Sequence, residues 1–159
     1  MSEVNRILDQ LQRAFEGPAW HGPALREVLA GVTYQTAAQR PIPDAHTIWE
    51  IVLHLSVWMS VPARRIAGEE VSNPPPDQDW PAAPPPSEEA WRQALDQLAH
   101  AQRDLEAKIR TLTDDRLREK VGGPVPYSIY TLLHGVVQHN LYHAGQIALL
   151  KKAARVTSR

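Results

Sequence analysis

Apolar residues recur with the 3.6-residue period of an α-helix in several long stretches of this chain, and no stretch alternates convincingly with the two-residue period of a half-buried strand. That pattern confines the fold to helices packed on helices. In the first stretch, Ser2 to Glu16, Val4, Ile7, Leu8, Leu11 and Phe15 share a face, Ser2 is placed to cap the start, and Gly17 and Pro18 end it. A shorter segment, "GPALREVLAGV", follows, with Pro23 suited to a first helical turn and Gly31 near an end. "TYQTAAQRPIPDAH" reads as a connecting loop, because Pro41 and Pro43 favour extended backbone.

Thr47 and Glu50 form a T-x-x-E capping box at the start of the next helix. Its apolar face carries Ile48, Ile51, Val52, Leu55, Met59 and Ile66. Pro62 is expected to kink it, and Gly68 to close it. Val71 to Pro86 then holds seven of the fourteen prolines of the chain, which argues against helix there and against the interior of a sheet. Trp80, in the middle of this stretch, favours an ordered loop that docks on the surface.

Ser87 caps a further helix, with Glu88 and Glu89 in its first turn and Trp91, Leu95, Leu98, Leu105, Ile109 and Leu112 along one face. "TDDRL" is a turn or a single helical turn, "VGGPVPYS" is a breaker run, and Ser128 caps a last helix from Ile129 to about Ala153. The expectation is an all-α fold in one domain, 1–159: a four-helix bundle with an extra short helix and a long Pro-rich connection.

Charge and composition narrow the function classes. The net charge is −1 with no long run of Lys or Arg, which disfavours a nucleic-acid surface. No segment approaches the roughly 18 apolar residues of a membrane span, and the N-terminus lacks a signal-peptide core, so a cytoplasmic protein is expected. The chain has no cysteine. Thiolate ligands and thiolate nucleophiles are therefore excluded, and thiol chemistry would need a thiol substrate.

The chemistry concentrates in "VVQHNLYHAGQIALLKK", Val136 to Lys152. Positions four apart differ by about 40° around a helix, so Leu132, Val136, His139, His143, Ile147 and Leu150 form one stripe. Two imidazoles on an apolar stripe are either core residues with hydrogen-bond partners or ligands for one ion. In "IWEIVLHLSVW", His54 likewise stands in an apolar face, with Ile51, Trp58 and Val61. Three imidazoles from two helices suit zinc, nickel, iron, manganese or copper, and leave a side open for water or substrate. The zinc-protease motif H-E-x-x-H is absent, because Asn140 stands where its Glu would be. Glu50, one turn before His54, is the substitute candidate for a catalytic base; its alternative role is the capping box. Trp58, Trp80 and Tyr142 are candidate pocket walls. His134 faces about 140° away from His139, and with His21, His46 and His100 it is read as solvent-facing or structural.

The segments "HTIWEIVLHLSVW" and "YSIYTLLHGVVQHNLYHAGQIALLKK", with "DWP" and "EEAW" between them, resemble the DinB-like superfamily, also described as YfiT-like metal-dependent hydrolases. The resemblance covers nearly the whole chain. It implies a four-helix bundle, commonly dimeric, that binds a divalent metal through three histidines, here His54, His139 and His143. Some members are thiol S-transferases that use bacillithiol, mycothiol or glutathione. The expected function is therefore a divalent-metal-binding (zinc, nickel, manganese or iron) enzyme of the thiol-dependent S-transferase type. Its partners would be a small-molecule substrate, a low-molecular-weight thiol and a second copy of the chain, with no nucleic acid and no membrane. The alternatives are a metal-dependent hydrolase and a non-catalytic metal- or ligand-binding stress-response module. Gly145, in "HAGQI", is expected to permit close helix approach within the bundle or at a dimer contact.

Overall fold

The computed structural model describes residues 1–122 and 124–157. Gly123, inside the breaker run "VGGPVPYS", lies outside the described residues, as do 158–159. Among the described residues there are seven α-helices and no strand: α1 (Glu3–Phe15), α2 (Leu25–Leu29), α3 (Tyr34–Ala38), α4 (Ile48–Ile66), α5 (Pro76–Asp79), α6 (Glu88–Arg110) and α7 (Ile129–Thr157). A 3-10 turn, Asp114–Arg118, follows α6 where "TDDRL" stands.

The four long helices close a ring. α4 packs on α6 and α7, and α1 packs on α7 and α6, so each long helix touches two others. Every residue of the apolar stripes expected for α1 and α4 is buried in one continuous core. Burial of such side chains stabilises by roughly 1.5–3 kcal/mol each, which is why these periodic faces decide the packing. The ends are capped as their residues dictate. The Ser2 hydroxyl accepts from the Asn5 amide, Thr47 and Glu50 form the reciprocal box, and Ser87 accepts from Ala90. Ser128 accepts from Thr131 at the start of α7. Two longer ties fasten α1 and α2. The Asp114 carboxylate accepts from the Glu3 and Val4 amides, and the Lys151 ammonium donates to the Val28 and Ala30 carbonyls.

Three local expectations are corrected. The segment read as a loop before α4 contains α3, a five-residue helix with Thr33 as its cap; its prolines come only after the helix has ended. The Pro-rich stretch read as excluding helix contains the single turn α5. Pro76 occupies its first position, where a missing N–H leaves no helical bond unmade. Gly145 is exposed and a Cβ built on it would meet nothing within 4 Å, so it serves no close approach inside the bundle. α4 runs on through Pro62 as one helix, and α7 extends a turn beyond Ala153.

The Pro-rich connection is held to α4 at two places. Arg65, 1% exposed, donates from Nε to the Val71 carbonyl (3.0 Å), from one terminal nitrogen to the Tyr127 hydroxyl (2.9 Å) and from the other to Asn73 Oδ1 (2.8 Å). Farther along, α5 lies back against α4 and brings Asp79 and Trp80 to the level of His54 and Trp58.

A candidate metal centre between α4 and α7

His54, His139 and His143 converge. Their ring nitrogens lie within 4.8 Å of one another, with His54 Nε2 and His143 Nε2 each 3.0 Å from His139 Nε2. Backbone geometry accounts for this meeting: His139 and His143 are one turn apart on α7, and α4 packs against α7 with His54 on its inner face. His54 and His143 are buried and His139 half-buried.

The outer nitrogens determine what the inner ones can do. His54 Nδ1 donates to the Asp79 backbone carbonyl (2.8 Å), with the Asp79 carboxylate 3.1 Å away. A carbonyl can only accept, so the proton of neutral His54 sits on Nδ1 and its Nε2 is a bare lone pair. His143 Nδ1 donates in the same way to Gln146 Oε1 (2.6 Å), leaving its Nε2 bare. His139 Nε2 faces both lone pairs. With one hydrogen at most, it can satisfy one of the two contacts and not the other.

Protonation does not relieve the cluster. Burial, reinforced by the charges His143 and His54 would carry, pushes His139 down to about 3. Burial, only partly opposed by the Gln146 bond, pushes His143 down to about 4. Burial lowers His54 as well, against the raising effect of Asp79. Near neutral pH all three rings are uncharged, the form that ligates metals.

A cation between the nitrogens fits this donor set. Two nitrogens held at 2.0–2.1 Å from one zinc-like ion stand roughly 2.9–3.4 Å apart for angles from square to tetrahedral, and the observed 3.0 Å separations fall in that range. Both outer partners also have the form usual behind metal-bound histidines, a carboxylate or carbonyl that fixes ring and tautomer.

Aromatic rings wall the cluster. Trp80 lies between His46 and His54, parallel to both, with centroids 3.5 and 3.8 Å away. The Trp58 indole N–H donates to the Asp79 carboxylate, and its ring meets His139 edge-on at 6.2 Å. Of the three expected pocket walls, Trp58 lines a cavity beside His139, whereas Trp80 packs on the His54 ring. Tyr142 is 65% exposed, with its ring T-shaped to His143 at 5.0 Å, so it stands outside that cavity.

Glu50 is engaged elsewhere. One carboxylate oxygen accepts from the Thr47 amide (2.7 Å) and the other from Arg40 (2.7 Å), with His46 Nδ1 at 3.4 Å. Burial raises its pKa, but the Thr47 bond and the Arg40 charge outweigh that and hold it below the usual range. The capping box is thus the role its surroundings support, and catalysis by Glu50 as a base is not.

From the sequence alone Asp79 and Gln146 have no assigned role, and His46 reads as solvent-facing or structural, without its stack on Trp80. Gln146 could have been found, since it is three residues after His143 on the same helix. Asp79 and His46 could not, because their approach depends on the course of two loops. Asn140, beside His139, is fully buried, and among the described residues neither its amide nitrogen nor its oxygen has a partner. His134 packs at a tilt against the Tyr130 ring, while His21 and His100 are exposed, all apart from the cluster.

No curated protein and no solved structure matches this chain. The family model of the DinB superfamily matches residues 19–147, which include all three histidines and most of the bundle. On that match the chain belongs to the DinB superfamily.

Proposed function

We propose that the protein binds a divalent transition-metal ion through His54, His139 and His143 and is a metal-dependent enzyme of the thiol S-transferase type. The observation that carries the reading is the proton count: His54 and His143 each meet His139 at 3.0 Å, all three rings neutral, with two Nδ1 protons committed outward. Such an ion, when bound, lowers the pKa of a thiol or water on its open side.

The chain's own groups favour a thiol over water as the nucleophile. Activation of water is assisted by a nearby base, and the carboxylates at hand are occupied. Glu50 is held by Thr47 and Arg40, and Asp79 sits behind His54 on its Nδ1 side, bonded to Trp58. Asn140 offers no basic oxygen. A thiol brings a more acidic proton and needs less help, and in a chain without cysteine it arrives as a substrate. The two tryptophans and α5 shield the ligands from bulk water and hold their orientation.

Metal analysis of untagged protein, wild type beside His139→Ala, tests the binding. We expect close to one equivalent in the wild type and little in the variant; equal content would overturn the site. Turnover of an electrophile with a low-molecular-weight thiol, lost in His54→Ala, tests the reaction. Ester or amide hydrolysis without any thiol would replace the transferase reading with the hydrolase one, and metal without any turnover would reduce the protein to a binding module.

A further inference from the structure

A cavity of about 290 Å³ opens between α4 and α7 beside His139. Its walls include Trp58 and Pro62 from α4, Tyr127 from the segment before α7, and Thr131, Gly135 and Val136 from α7. Among the described residues no Asp, Glu, Lys or Arg lines it. The nearby cation, Arg65, is 1% exposed, with its guanidinium bonded to Val71, Asn73 and the Tyr127 hydroxyl. Both wall hydroxyls already take part in hydrogen bonds, Tyr127 accepting from Arg65 and Thr131 paired with Ser128. A charged group seated against these walls, away from the His139 end, would lose water and gain no counter-charge from them, which is strongly unfavourable. An apolar group would be stabilised by every Å² it covers.

Gly135, exposed on α7, borders the cavity without a side chain. It lies within the helix, where alanine would be more stable by about 1 kcal/mol, and a Cβ built on it meets nothing within 4 Å. Any larger residue would therefore project into free volume. An apolar cavity of about 150 Å³ accepts benzene, so this one has room for a substituted ring or a short branched chain.

We propose that the cavity seats an uncharged, apolar group, aryl or branched alkyl, of the substrate, with its reacting end at His139 and Gly135 leaving its edge unobstructed. The inference rests on the metal-site reading for what lies at that end. It also assigns the partners: the thiols considered above are strongly polar, charged or sugar-bearing, so the cavity belongs to the electrophile and the thiol approaches from elsewhere.

The test uses three probes that share a phenyl ring, benzyl alcohol, benzenesulfonate and benzyltrimethylammonium, titrated by calorimetry into protein of measured metal content. Benzyl alcohol is expected to bind at least about tenfold more tightly than either ion. Its affinity should fall in the order wild type, Gly135→Ala, Gly135→Leu, with metal content unchanged; the alanine variant, one methyl larger, guards against a folding failure in the leucine one. Equal affinity for the three probes, or full affinity in Gly135→Leu, would overturn the proposal. Alcohol binding by a protein that takes up no metal would overturn the metal reading and leave the cavity standing. Metal uptake without alcohol binding would do the reverse.

Discussion

Trp80 lies flat on His54, with ring centroids 3.8 Å apart and planes within 6° of parallel. A residue of the Pro-rich connection thus fixes the orientation of a ring on α4, and the neighbouring Asp79 carbonyl fixes its tautomer. Trp80→Ala should therefore weaken metal binding without touching a ligand. We expect a loss of about tenfold, the lower end of what outer partners of metal ligands contribute, and a smaller loss in Trp80→Phe. Competition against a chromophoric chelator measures both; unchanged affinity in Trp80→Ala would show that the stack is ornamental.

Gln146 and Asp79 should differ in effect, although each stands behind one histidine. His143 Nδ1 has the Gln146 side chain as its acceptor, whereas the acceptor of His54 includes a backbone carbonyl that no substitution removes. Gln146→Leu is expected to cost about 10–100-fold in metal affinity, and Asp79→Ala distinctly less. The same competition assay ranks them, and the reverse order would mean that the Asp79 carboxylate, not its carbonyl, holds His54.

The ligand set was legible because it is a matter of helix period. His139 and His143 must share a face at a spacing of four, and the apolar neighbours of His54 reveal which way it points. The buried stripes of α1 and α4 follow from the same rule. What surrounds the histidines was not legible, because loops carry it. The place of Trp80 against His54 depends on the anchors Arg65 makes to Val71 and Asn73 and on a helical turn started by Pro76. Local propensity argues against helix in a proline run, and only the position of Pro76 at the first helical residue reconciles the two. The five-residue α3 was missed for a similar reason: too short to show a period, it is defined by the Thr33 cap.

Acid should destabilise the metal-free protein in a defined window. His139 and His143 fall from 6.5 to about 3 and about 4 on folding. Between those values the unfolded chain binds more protons than the folded one, so stability is full above about pH 6.5 and declines as the pH drops toward 4. Melting temperatures of chelator-treated protein from pH 7.5 to 4.5 should trace that decline. A His139→Ala, His143→Ala double variant should show a flatter curve, and identical curves would place the acid sensitivity elsewhere.

Glu50 separates a cap from a base. If its carboxylate serves the Thr47 amide, Glu50→Ala and Thr47→Ala should each lower stability by about 1 kcal/mol. Both variants should keep wild-type metal content and, where turnover is found, most of it. A Glu50→Ala protein that is stable yet inactive would restore Glu50 as a catalytic group.

Arg65 offers the sharpest test of how the site depends on the loop. It is a buried cation whose three bonds go to neutral oxygens on two different segments. Removing it strands those acceptors and frees the start of the connection that carries Asp79 and Trp80. Arg65→Ala should therefore lower stability by about 3 kcal/mol and also weaken metal binding from a distance. Arg65→Lys should recover little, because an ammonium cannot reproduce the guanidinium fork that reaches all three oxygens. Limited proteolysis between residues 71 and 86, read beside metal affinity, distinguishes the two effects. Faster cleavage with weaker binding means that the loop orients His54; faster cleavage with intact binding would mean that α4 and α7 alone hold the three histidines in place.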